Sequence, residues 1–413
     1  MSPDMTSKIY NLMFFVFLLF VFFPYVTPIK TGSDIQPYSM VVAFLLVFLY
    51  GFRHDILSYC ILIFLFISMS FLFFTNIEFS DVRSSLSPIS FCLVFLALHN
   101  GIQFFEKNVY DFLLWLSLWL YFFASIIQSI FGAGTLLFIS PRYFTYGGFQ
   151  GRGYDSLTAE PTFYGFTILL LCMIYSLLSF SMSRKVLFYW FVGFVQILLF
   201  AKSSSALLSF LIVFFVFSIV LSGRLKYFYL CMSIFSFVFL YFVVDFLIYF
   251  MEDGSRVKDI LSKANDPVEL ITTDYSINDR LFNIYYSYKG AFSNYFIPHG
   301  FGNWYEYLIS AASSNNLVTN VSGEDERILS MFGGLLFEFG FFSIFFFFLV
   351  FYGVYIKSSG STINFLLLSL ALIFVFSQAI PISHPLVALF ICFLYIRPSS
   401  NGSCGNFLGK LNV

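Results

Sequence analysis

Arg142–Phe163 reads RYFTYGGFQGRGYDSLTAEPTF and lies between two long apolar runs. It holds two arginines, Arg142 and Arg152, two carboxylates, Asp155 and Glu160, and a glycine cluster at Gly147, Gly148, Gly151 and Gly153. Glycine has no Cβ and lets backbone approach another group closely, here a ligand by expectation. Glu160-Pro161 leads straight into the next apolar run. Proline is favoured in the first turn of a helix, so Glu160 is expected at the N-terminal cap. Charge kept at a membrane edge is costly unless it is used, and an anionic head group bound on this loop is the simplest reading.

The rest of the chain makes this loop a membrane edge. Of 413 residues, 59% are hydrophobic and 10% charged, whereas soluble domains carry about 25% charged residues. The chain therefore reads as an integral membrane protein. A net charge of −1 says nothing of partners by itself; the placement of the charges does, and no nucleic-acid partner is expected. Cys60, Cys92, Cys172, Cys231 and Cys392 fall in apolar runs and Cys404 in the tail, so neither a disulfide framework nor a metal cluster is implied. The 64 phenylalanines read as lipid-facing and core filler. The apolar run from Ile9 to Ile29 exceeds a signal-peptide core and has no small-residue cleavage site after it, so it is expected to be a retained span.

A spanning helix needs about 20 apolar residues. That ruler places spans near 9–29, 38–52, 56–75, 86–105, 109–131, 161–180, 186–201, 204–222, 227–250, 329–356, 363–380 and 384–396. The last two could be one helix broken at Pro381 and Pro385, so the expectation is eleven or twelve spans, with twelve preferred. The fold class is an all-α polytopic membrane protein forming a single membrane domain over 1–413, with an outer loop at 132–160 and a long extracytoplasmic loop at 251–328. With the N-terminus inside, Lys8, Arg53, Lys107, Arg184, Lys185, Arg224, Lys226, Lys357, Arg397 and Lys410 fall on the cytoplasmic side. Lys30, Arg83, Arg142, Arg152 and Lys202 fall outside. That is roughly the two-to-one bias the positive-inside rule demands. Four spans separate the 132–160 and 251–328 loops, so both are expected on the outer face.

The long loop carries eleven acidic residues against six basic ones and is expected to lie on the membrane surface as short helices. Within it SINDRLFNIYYSYKG (Ser276–Gly290) is a helix pattern, capped at Ser276 or Asn278 and ended at Gly290. Leu281, Phe282, Tyr285, Tyr288 and Phe292 share an apolar face. Arg280 falls in the first turn, where an arginine beside free helix N–H groups suits phosphate; the alternative is a surface arginine paired with Asp279. His299, between Pro298 and Gly300, is either a proton acceptor or a turn-packing residue. Tyr295, Trp304, Tyr305 and Tyr307 around it suit interfacial anchoring or sugar stacking. Glu160 could act only as a cap, and Lys202 in FAKSSSALLSF either joins a cationic cluster or ends a span. Asp111, Asp245, Glu338, His99, Gln128, Gln196 and Gln378 lie in or near spans, where polar groups tend to serve function. No phosphate-binding Walker loop, serine-elbow, HExxH or CxxC pattern occurs, so no nucleotide, metal or other cofactor is expected.

Taken together these pieces resemble the O-antigen polymerase/ligase superfamily, specifically the Wzy-type polymerases of lipopolysaccharide synthesis. The likeness rests on Gly151-Arg152-Gly153 followed by Ala159-Glu160-Pro161-Thr162-Phe163-Tyr164-Gly165, on Asn278-Asp279-Arg280 with His299-Gly300-Phe301-Gly302, on the serine turn Ser203-Ser204-Ser205, and on Leu335–Phe342 with Glu338 and Gly340. It covers about Arg142 to Val350. The related ligases carry a histidine after the long loop, where this chain reads Gly323-Glu324-Asp325-Glu326-Arg327, which favours polymerase over ligase.

The resemblance implies an inverting, metal-independent glycosyl transfer at the periplasmic face of a bacterial inner membrane. A growing polysaccharide on undecaprenyl diphosphate would pass to a new lipid-linked repeat unit. Arg152, Arg280, Arg142 and Lys202 would then bind the diphosphate, with Arg280 also in the catalytic set, and Glu160 or His299 would serve as base. Membrane lipids and a chain-length regulator are the implied partners. An O-antigen ligase and a transporter of lipid-linked sugar are the alternatives.

Overall fold

A computed structural model describes residues 3–27, 35–72, 79–102, 105–140, 153–221, 275–313, 328–358 and 360–396. Arg142, Arg152 and the span expected at 227–250 lie outside the described residues. The described residues form helices with no strand among them, and six of these helices are long and apolar enough to cross a membrane, with five shorter apolar ones beside them.

The N-terminal helices are α1 (Pro3–Phe22), α2 (Tyr38–Tyr50), α3 (Ile56–Leu72), α4 (Phe79–Gly101) and α5 (Lys107–Phe131). Then come α6 (Pro161–Ser179), α7 (Arg184–Val195), which continues through a wide π turn at Gln196–Ala201, and α8 (Ser204–Leu221). The long loop contributes α9 (Tyr275–Ser293) and α10 (Trp304–Ser313), and the chain closes with α11 (Met331–Phe339), α12 (Ile344–Lys357), α13 (Thr362–Phe376) and α14 (Pro385–Leu394).

Two expected boundaries differ for identifiable reasons. The first span leaves its helix at Phe22 rather than running to 29, because Pro24 cannot supply the N–H the next turn needs. The expected 329–356 helix is two pieces. Gly340 takes φ +55, and a Cβ there would overlap the carbonyl oxygen of Phe296, which accepts the Phe341 N–H at 2.8 Å. The final two spans are separate, with 15 residues in α13 and 10 in α14. At 1.5 Å per residue these measure about 22 and 15 Å, so neither crosses a core of about 30 Å alone. The described part of the long loop packs on the bundle: Tyr286, Trp304 and Leu308 of α9 and α10 bury themselves around Phe337 of α11.

The centre of the bundle is the pair α6 and α14. Every residue of α6 from Phe163 to Leu178 is buried, as is all of α14. The two run parallel. Near the start of α14 the His384 ring faces Thr167 of α6, Nε2 to Oγ1 3.3 Å, while its Nδ1 accepts the Leu386 N–H and caps the helix. At the other end Lys357 of α12 reaches both C-termini, donating to Leu177 O at 3.2 Å and Ile396 O at 3.4 Å, with its ammonium 3.7 Å from the Phe180 ring centroid. A cation there meets the negative ends of both helix dipoles. Also at that end Asp55, in the turn before α3, meets the buried His99 of α4 at 2.6 Å and accepts the Ser58 N–H. Burial would raise the Asp55 carboxyl, but the bond and charge of His99 together with the Ser58 N–H outweigh it and hold the carboxyl at about 2.

Two outcomes follow from these contacts. Gly340→Ala forces backbone against backbone and is expected to cost about 1–3 kcal/mol, read as a lower midpoint of thermal unfolding in detergent micelles; an unchanged midpoint would refute the assigned turn. Because the folded Asp55 carboxyl is held below its ordinary value, it stabilises the protein above about pH 4 and that gain disappears as pH falls toward 2. Asp55→Asn should therefore lose on the order of 2 kcal/mol at neutral pH and show a flatter acid-stability profile than the parent between those values.

Candidate functional site

The start of α6 touches the start of α8. Gly165 makes this possible, since a Cβ there would lie 2.5 Å from the Ala206 Cβ. Ser203 caps α8, its Oγ accepting from the Ala206 N–H at 3.5 Å, and Lys202 turns the chain out of the π turn with φ +48. Arg280 of α9 closes over the junction. Its Nη1 donates to Ser205 Oγ at 2.5 Å and its Nη2 to Thr162 Oγ1 at 2.9 Å, contacts made across 75 and 118 residues of chain. Three of the four motif segments singled out in the sequence are thus in one place.

The loop leading into α6 is held from behind. Tyr154 donates its N–H to Phe200 O at 2.7 Å, in the π turn, where the widened turn releases a carbonyl. Gly153 lies so close to the Phe200 and Ala201 carbonyls that no Cβ fits. The expectation that the glycines serve a ligand is met differently at Gly153, where the close approach is to the protein's own backbone. Ser156 adopts φ +54 and is clamped by the Gln128 amide, which accepts the Ser156 N–H at 2.7 Å and donates to Ser156 O at 3.1 Å. Ser156 Oγ donates to Tyr121 O at 2.6 Å. Deeper in, Tyr164 donates to Gln196 Oε1 at 2.7 Å, and Gln196 donates to Leu118 O at 3.2 Å. Gln128 and Gln196, polar residues inside spans, are therefore the props of this loop. Asp155 is buried within it.

Glu160 sits at the N-cap of α6 in extended conformation, and its side chain makes no capping hydrogen bond. The expected N-cap position is thus the observed one, without a capping hydrogen bond from the carboxylate. The electrostatics of the junction are cationic. Each helix N-terminus carries roughly half a positive charge, and Arg280 adds a full one to two such ends. The groups Arg280 binds in these two contacts are hydroxyls, and the helix N-termini beside it suit an anion.

Lys202 is exposed at the turn between the π segment and α8. His299 is elsewhere. Its ring stacks on Phe337 at 4.1 Å between centroids and 4° between planes, and its Nε2 donates to Gly290 O at 3.3 Å. Its N–H donates to Phe337 O at 3.0 Å, and its carbonyl accepts from the Asn303 side chain. Gly290 lies ten residues along α9 from Arg280, about 15 Å of helix. The structure therefore assigns His299 a packing environment and does not bring it to Arg280. His384 and Lys357, which hold the central helix pair, were not singled out as site residues in the sequence; the His384-Pro385 step, a capping residue before proline, is the one signal that could have found the first.

Compared with protein-family models, curated proteins and solved structures, the chain has no match.

Gln128→Leu leaves the buried N–H and C=O of Ser156 without their partner and is expected to cost about 2–4 kcal/mol. The check is thermal unfolding in detergent together with protease cleavage near 153–160, which should accelerate in the variant; unchanged cleavage would mean the clamp does not hold the loop.

Proposed function

We propose that this chain is a membrane glycosyltransferase of the O-antigen polymerase type, acting on sugars carried by a polyprenyl diphosphate at the outer face of a bacterial inner membrane. One observation carries the reading: Arg280 reaches Thr162 of the Glu160-Pro161-Thr162 motif and Ser205 of the serine turn. Segments that resemble the family's motifs one by one are brought to a common point, where an arginine meets two helix N-termini and the helix that carries Thr162 is preceded by Glu160.

In this reading the donor's anomeric carbon is attacked by an acceptor hydroxyl from the opposite face. A new C–O bond forms as the bond from carbon to the diphosphate oxygen breaks, and the electron pair leaves with the lipid diphosphate. Arg280 and the two helix N-termini stabilise the charge that grows on the departing diphosphate. Glu160 accepts the hydroxyl proton. Arg152 and Arg142, on the loop before Gly153, are proposed as further diphosphate ligands, and Lys202 as a peripheral one. No cofactor enters this scheme.

A second reading has one feature in its favour. The interrupted pair α13 and α14, with a wholly buried half-helix, is the sort of discontinuity found in transporters of the inverted-repeat kind. The two readings part in a polymerase-null strain complemented with variants. For the polymerase, Arg280→Ala should lower chain extension by about 100- to 1000-fold, the usual cost of removing a charge-stabilising donor, and leave product of a single repeat. Arg280→Lys should recover only part, because an ammonium cannot serve two hydroxyls with a planar fork. Glu160→Gln and Arg152→Ala should behave like Arg280→Ala, whereas His299→Phe, which preserves the stack on Phe337, should extend chains normally. Long-chain ladders from Arg280→Ala, Glu160→Gln and Arg152→Ala would sink the proposal. Lipid-linked repeats retained on the cytoplasmic side would support the transporter.

A further inference from the structure

Helix α9 presents large apolar side chains to its surroundings. Successive residues are about 100° apart around an α-helix. Leu281, Tyr285 and Phe292 fall together on one face, and they are 44%, 55% and 60% exposed. The opposite face carries Arg280, Asn283, Ser287 and Gly290. Asn283 and Ser287 are buried, and Arg280 is tied to Ser205 and Thr162. Asn283 donates to Asp279 Oδ1 at 3.0 Å and accepts the Leu329 N–H at 3.1 Å, locking that polar face onto the start of α11. Asn283, Ser287 and Gly290 face inward beside the buried Tyr286 and Ala291, while three large apolar side chains stand exposed outward, so the outer surroundings are apolar.

The outward stripe is also continuous with the lipid-facing side of the bundle. Past the end of α9, Phe296 O accepts the Phe341 N–H, and Phe341 and Ile344, midway along the Met331–Lys357 candidate span, are 56% and 63% exposed. Lys289 shares the stripe, its ammonium 5.7 Å from the Tyr285 ring and 5.4 Å from the Tyr286 ring. A lysine stem laid over aromatic rings with its ammonium free to reach phosphates is the pattern of a side chain at the head-group boundary.

We infer that the outer face of α9 is inserted into the phospholipid at the membrane interface, so that α9 is a lipid-embedded strap over the bundle rather than a helix on the aqueous surface. Arg280, on its inner face, then sits at head-group depth. The consequence rests on the proposed function: a lipid-borne diphosphate diffusing in the leaflet reaches the Arg280 junction sideways, without leaving the membrane.

The test is site-specific quenching in nanodiscs of phosphatidylethanolamine and phosphatidylglycerol, using the full chain with its native cysteines replaced. Bimane is attached at Tyr285→Cys or Phe292→Cys, with Leu281→Cys as a second position should either label disturb the fold. Ile344→Cys serves as the lipid-facing reference and Ser181→Cys, in the exposed turn after α6, as the water-facing one. Doxyl-labelled lipid should quench the α9 labels severalfold more than Ser181→Cys, approaching Ile344→Cys, and iodide should quench them severalfold less than Ser181→Cys. Iodide quenching at the Ser181→Cys level would overturn the inference in favour of a water- or saccharide-facing surface. Protection from both quenchers would overturn it in favour of a second protein copy. The two proposals fail separately. Lipid quenching with normal ladders from Arg280→Ala removes only the enzymatic reading, and iodide quenching with ladders lost in Arg280→Ala removes only this one.

Discussion

A helix buried on every side must have both of its ends satisfied by protein. That constraint organises this molecule. Along α6, from Phe163 to Leu178, no face is left to lipid, and the parallel α14 is buried as completely. Inside a membrane the last carbonyls and first N–H groups of such helices find no water. His384 Nδ1 accepts the Leu386 N–H at the start of α14, and two cations stand at opposite ends of the pair. Lys357 accepts the cost of burial to serve the C-terminal carbonyls of both helices. At the other end Arg280 comes in over the hydroxyls of Thr162 and Ser205. The two cations are not equivalent. Lys357 meets the negative ends of helices, whereas Arg280 meets positive ones.

The same buried packing explains why the loop before α6 is rigid where it is described. Gly153 and Gly165 let the loop and α8 come to within backbone contact of their neighbours, and the Gln128 amide fastens Ser156 in a left-handed conformation that serine does not favour. The π turn at Gln196–Ala201 supplies the carbonyl that Tyr154 needs. Polar side chains inside spans, which are expensive there, are in this way spent on holding Glu160 in place.

Much of this was legible in residue order. The membrane character, the positions of nearly all the described helices and the interruption near Pro381 and Pro385 follow from apolar run length and from the residues that end helices. His299 was not legible in the same way. A histidine in a tight turn reads alike whether it faces a substrate or lies flat against a phenylalanine, and only the neighbour, Phe337, decides. Lys357 and Asp55 were opaque for a similar reason, since their partners Leu177, Ile396 and His99 are remote in the chain.

By itself the sequence determined which segments prefer hydrocarbon to water and which short stretches carry charge at its border, because both are properties of neighbouring residues. What only the tertiary structure decided is which of those stretches share a place. Arg280 meets Thr162 and Ser205, and His299 does not join them. Contacts between distant segments depend on how helices pack, through a glycine that admits a close approach or a turn that frees a carbonyl, and no local pattern encodes the partner. The orientation of α9, polar side inward, is of the same kind: the periodicity is in the sequence, but which side faces out is settled by what the inner face can bind.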